Sequence, residues 1–182
     1  MKKLFAVAAL MGGISLFGAQ NANAQTTVTL PDSSLTTLFT ATVSEQARVV
    51  VPGSVLFNVL NVGSSTAASA ASVTVDQIVL STATKQLKLS IQAAAASFTA
   101  PAGGGTTWSA SDISWNNPAW TNATGSAGTL SSAAYNTVST CDQGTDNCST
   151  TNLVFTLAAK PTVQRSGNHT LTVTWKVESI GA

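Results

Sequence analysis

Three tryptophans, Trp108, Trp115 and Trp120, share one short stretch with Asn116, Asn117 and Asn122. Exposed aromatic faces stack on sugar rings and amides bond sugar hydroxyls, so the chemistry these types suggest is glycan binding. The same residues suit a second role. Trp115 would end a strand with its ring in the core while Trp108 and Trp120 cover loop edges, because aromatic rings bury large areas. Catalytic groups are sparse. His169 is the single histidine, placed beside the turn Ser166-Gly167-Asn168, and reads as a turn residue rather than a general base. One histidine cannot build a multi-histidine metal site, and no Cys/His spacing suits zinc. No Gly-x-Ser-x-Gly nucleophile elbow is present. The carboxylates Asp32, Glu45, Asp76, Asp112, Asp142, Asp146 and Glu178 are scattered, with no two singled out as an acid/base pair. The expectation is a protein without catalytic residues, metal or cofactor.

The remaining reactive residues are Cys141 and Cys148, at the ends of Cys-Asp-Gln-Gly-Thr-Asp-Asn-Cys. In an oxidising compartment a close pair with no other cysteine reads as one disulfide. Closing so small a loop stabilises by roughly 2.5 kcal/mol if the unfolded chain's entropy is what it reduces. Asp142, Asp146 and Asn147 around Gly144 offer the competing reading, a calcium loop, but the further acidic positions and terminal Glu of an EF-hand are missing.

The compartment is legible at the start of the chain. Lys2 and Lys3 precede the apolar run Leu4 to Phe17, which ends in Ala22-Asn23-Ala24. This is the pattern of a cleavable export signal, and the run is too short to stay in a bilayer. Residues 1–24 are expected to be removed, leaving residues 25–182 as a single domain, extracellular or at the cell surface, with the periplasm as an alternative address. Without Lys2 and Lys3 the chain keeps six of its eight Lys and Arg against seven carboxylates, a net charge of −1. No basic stripe for nucleic acid and no basic amphipathic helix for a membrane surface is present. Beyond residue 24 there are 27 Thr and 21 Ser, so hydroxyls rather than ions solvate the surface. Low charge weakens protection against association, so self-association and attachment to a surface polysaccharide are the expected partnerships.

The elements that must carry these residues are strands. Leu171, Val173, Trp175 and Val177 alternate with Thr172, Thr174, Lys176 and Glu178, the period of a half-buried antiparallel strand. The pattern recurs in Leu87, Leu89 and Ile91, in Leu153, Phe155 and Leu157, and in Val55, Phe57 and Val59. Further strands are expected over residues 39–43, 48–51, 112–115 and 130–138. Between Val73-Thr74-Val75 and Ile78-Val79-Leu80 the alternation changes phase, and a bulge at Asp76-Gln77 would restore the core face. The Ala-rich stretches 67–72 and 93–96 read as loop or single turns. Seven to nine short strands with frequent turns predict an all-β, immunoglobulin-like antiparallel sandwich. A membrane barrel is the rival architecture, but the aromatic girdles it needs are not there.

The segments Leu87-Lys-Leu-Ser-Ile-Gln92 and Ser166-Gly-Asn-His-Thr-Leu-Thr-Val-Thr-Trp175 resemble those of small secreted β-sandwich proteins of bacteria, the spore-coat-U and pilin-like surface subunits. That resemblance implies an extracellular structural or adhesive role without catalysis. The functional expectation is therefore a secreted, non-enzymatic structural or adhesive surface protein. A carbohydrate-binding module built on Trp108, Trp115, Trp120, Asn116 and Asn117 is the alternative.

Overall fold

The computed structural model describes residues 29–30 and 36–181, which fall in two units, Met1–Ala41 and Thr42–Ala182. The export signal read at residues 1–24 lies outside the described residues. In the first unit the described residues form neither helix nor strand, and Leu38 and Phe39 are 89% and 90% exposed. No helix among the described residues is long and apolar enough to cross a membrane.

The second unit is an antiparallel β-sandwich. Its eleven strands are β1 (Gln46–Val50), β2 (Thr66–Ala67), β3 (Ala71–Val79), β4 (Gln86–Ala93), β5 (Ile113–Trp115), β6 (Ala123–Gly125), β7 (Gly128–Thr129), β8 (Asn136–Cys141), β9 (Cys148–Leu153), β10 (Phe155–Leu157) and β11 (Val173–Ile180). They form three sheets, ordered β1-β3-β9, β2-β10-β5-β7 and β11-β4-β8-β6. The first two share one run of chain, because β9 and β10 are separated only by Val154. At that break the Asn116 side chain stands in for a ladder partner. Its Oδ1 accepts the Val154 N–H at 2.8 Å and its Nδ2 donates to the Asn152 carbonyl at 3.1 Å.

The alternating patterns fold as their periods dictate. Leu87, Leu89, Ile91 and Ala93 of the central strand β4 are buried, while Lys88 and Gln92 reach the surface. The phase change in β3 is a bulge: Arg48 pairs with Asp76 but Gln46 pairs with Val79, and Gln77 takes a φ of 52°. Arg48 closes the bulge with a two-pronged ion pair to the Asp76 carboxylate, both contacts at 2.6 Å. Buried side chains from all three sheets form one cluster, with Val73, Val75, Leu89, Ile91, Val138 and Leu153 fully buried. The disulfide Cys141–Cys148, Cα–Cα 5.7 Å, ties the end of β8 to the start of β9 from within that cluster.

Strand number and boundaries differ from expectation where side chains compete with the ladder. The strand expected over 130–138 is interrupted because the Ser131 hydroxyl accepts the N–H groups of Ala133 and Ala134, so β8 starts only at Asn136. The Ala-rich stretch after Thr66 is partly sheet, since β2 includes Ala67 and β3 starts at Ala71. Two expected strands, residues 39–43 and the run through Val55, Phe57 and Val59, are not strands. Neither has a neighbouring strand to pair with among the described residues, and a ladder needs two partners.

Candidate binding groove

β11 ends its sheet, so only one of its edges is paired, with β4. Among the described residues no backbone–backbone hydrogen bond is made by the segment 52–60, which lines a groove together with residues of and just before β11. The groove has a volume of about 1060 Å³. Pro52, Val55, Phe57 and Val59 form one wall, and Leu171, Val173 and Trp175 the other. The floor is the core itself: Ile91, Ile113, Leu130, Phe155 and Leu157. The inward row of β11 shows the effect of this opening, since Val173 and Trp175 are only half-buried and Val177 is 37% exposed.

The groove is lined mainly by apolar side chains, with the backbone of residues 52–59 unpaired along it, a surface that fits an extended polypeptide with alternating apolar residues. Its polar rim is the turn that carries Gln164, Arg165 and His169. Arg165 makes no ion pair among the described residues, but no carboxylate or other charge lines the groove.

His169 holds this rim in place. Because a carbonyl can only accept, the Nε2–H donates to the Arg165 carbonyl at 3.0 Å, and Nδ1 lies 2.6 Å from the Thr107 hydroxyl. The ring also meets Trp108 edge-on, centroids 5.2 Å apart. Both ring nitrogens are thus engaged in fixing the turn.

The described carboxylates are dispersed in space as they are in sequence. Asp76 binds Arg48, Glu178 bridges Lys88 and Lys176 across β4 and β11, and Glu45 accepts from Lys85 and the Ser81 N–H. The Arg48 and Lys176 contacts hold the Asp76 and Glu178 carboxyls below their ordinary values. Burial pushes the Asp112 carboxyl up, but the Lys160 ammonium at 2.9 Å and the Ser109 amide outweigh it and leave it lowered. Each of these four is paired with a cationic side chain. Among the described residues no group of three His, Cys, Asp or Glu comes together to hold a metal. Asp142 and Asp146 sit on the exposed disulfide loop, around Gly144 at a φ of 69°.

The tryptophan platform is corrected by burial. Trp108 is 5% exposed with its Nε1 donating to the Ala158 carbonyl, and Trp115 is 3% exposed with its Nε1 donating to the Ser126 carbonyl. A sugar cannot reach either face without opening the domain. Trp120 is half-buried, its ring packed so closely over Gly125 that a β-carbon there would meet Cδ1 at 2.6 Å. The Asn116 amide is consumed at the β9–β10 break, and Asn117 is exposed beside it. Trp108, Trp115 and Asn116 thus serve the core and the β9–β10 break, while the half-buried Trp120 and the exposed Asn117 meet at Gly125.

Sequence reasoning placed Leu171, Val173 and Trp175 on a core face and Val55, Phe57 and Val59 on another, but not the groove between them. Hydrophobic alternation says which side chains turn inward. It carries no mark for whether a neighbouring strand covers them. Comparison of the chain with family models, with curated proteins and with solved structures gives no match.

Proposed function

We propose that the protein is a secreted, non-enzymatic structural or adhesive surface subunit, an immunoglobulin-like sandwich that self-associates by lending a strand of one copy to the groove of the next. The single observation that carries this reading is the groove, lined by the inward row of β11, a strand with one unpaired edge, and by residues 52–59, whose backbone is unpaired among the described residues.

The strand it would receive is present in the same chain. Residues 36–44 read Thr-Thr-Leu-Phe-Thr-Ala-Thr-Val-Ser, with Phe39, Ala41 and Val43 on one face and Thr40, Thr42 and Ser44 on the other. This is strand patterning without a strand, and it leaves Phe39 at 90% and Val43 at 71% exposure. Burying Phe39 and Val43 would yield about 3–6 kcal/mol together, to which ladder hydrogen bonds along both rims would add about 1 kcal/mol each. The segment carries no charge, so Arg165 at the groove rim has nothing in it to repel. Because donor segment and groove are different surfaces, the contact is heterologous, and repeated copies make an open chain. The export pattern and the buried disulfide suit such a product, which would be built outside the cytoplasm.

The test is light scattering with electron microscopy on the oxidised protein lacking residues 1–24, across a concentration series. Linear assemblies that vanish in Phe39→Asp are expected. A monomer at every concentration would reject the reading. So would a monomer whose melting temperature falls in Phe39→Asp, because the segment would then occupy its own domain.

A further inference from the structure

Glu45 directly follows the donor segment and directly precedes β1. Its Oε1 accepts from the Ser81 N–H and from the Lys85 ammonium, both at 2.8 Å, so it is fastened to the connection between β3 and β4. The end of β11 is itself held close to the same connection, since a β-carbon on Gly181 would meet the Thr84 carbonyl oxygen at 3.3 Å. One carboxylate thus fastens the start of β1 to the β3–β4 connection, against which the end of β11 also lies.

The lengths leave no slack. The groove wall of residues 52–59 spans about 26 Å as extended chain and the nine residues 36–44 about 30 Å, at roughly 3.3 Å per residue. A segment that fills the groove of the next copy therefore ends at the residue its own domain clamps. Resting on the strand-lending reading, we infer that Glu45 is the positioning residue of the joint between copies: by fixing where the donor segment leaves its domain, it makes the assembly a stiff rod rather than beads on a flexible string. Removing the clamp, or adding residues between it and the groove, frees the joint without touching either surface that binds.

The experiment compares filaments of the oxidised, signal-free protein with those of Glu45→Ala, Glu45→Gln and a Gly-Ser-Gly-Ser insertion after Ser44, measuring persistence length on micrographs. Glu45→Ala and the insertion are expected to shorten it several-fold at unchanged assembly yield, and Glu45→Gln, which still accepts from Ser81, to shorten it less. Melting temperature confirms that each variant is folded. Filaments of unchanged stiffness in both Glu45→Ala and the insertion would overturn the joint while leaving the strand-lending reading intact. A parent protein that forms no filaments would overturn both.

Discussion

β4 and β11 lie side by side in one sheet, carry the same alternation, and end up in different environments. In β4 the inward row Leu87, Leu89, Ile91 and Ala93 is buried to 5% exposure or less. In and just before β11 the corresponding row Leu171, Val173 and Trp175 is half-buried, and Val177 is exposed. Both strands were built to be covered on that face, and only one of them is. β4 has β11 and β8 as neighbours, whereas β11 has only β4. What differs is the number of neighbours, not the sequence pattern.

The contrast predicts unequal costs for equal truncations. Leu89→Ala should destabilise by about 2–5 kcal/mol, as expected of a fully packed site, and Val177→Ala on the next strand by less than about 1 kcal/mol. Urea titration of both variants measures this, and equal losses would show that the groove side is as tightly packed as the centre.

Glycines extend the same comparison with a smaller effect. A β-carbon on Gly128 would fall inside contact distance of the Trp115 ring, whereas one on Gly53, on the groove wall, would meet nothing within 4 Å. Gly128→Ala should cost about 1–3 kcal/mol through overpacking, and Gly53→Ala should stay within about 0.5 kcal/mol of the parent. Thermal unfolding of the pair distinguishes them.

The smallest expected effect is at the clamp. The Lys85 ammonium, helped by the Ser81 hydrogen bonds, lowers the Glu45 carboxyl from 4.5 to about 2. A lowered carboxyl stabilises fully above its ordinary value, and that share is lost as pH falls through about 2. Melting temperature followed from pH 7 to pH 2 should therefore drop less in Glu45→Gln than in the parent across the acid range. Parallel curves would mean that the contact does not favour the charged carboxylate.

Much of this architecture could be read before any coordinates. The inward rows of β4 and β11, the bulge at Asp76-Gln77 and the disulfide between Cys141 and Cys148 all follow from residues a few positions apart. What could not be read depends on groups far apart in the chain. The indole N–H groups of Trp108 and Trp115 find carbonyls at Ala158 and Ser126, and those partners decide that the rings are core rather than surface. Asn116 looked like a sugar ligand because its amide seemed free. It is spent on Asn152 and Val154, well down the sequence. The segment 39–43 was legible as a strand, and its pattern remains that of a strand, but pairing is a property of two segments and among the described residues it is in no ladder.

The uncharged floor of the groove has a thermal consequence. A joint that covers the exposed Phe39 and Val43 and the half-buried Val173 and Trp175 removes apolar surface from water and little else, so it carries a negative heat-capacity change. Such a contact weakens on cooling and tightens in sulfate, while sodium chloride has few charges to screen. Assemblies held this way would come apart in the cold and re-form on warming, a reversible response to temperature set by the oil-like lining of one groove.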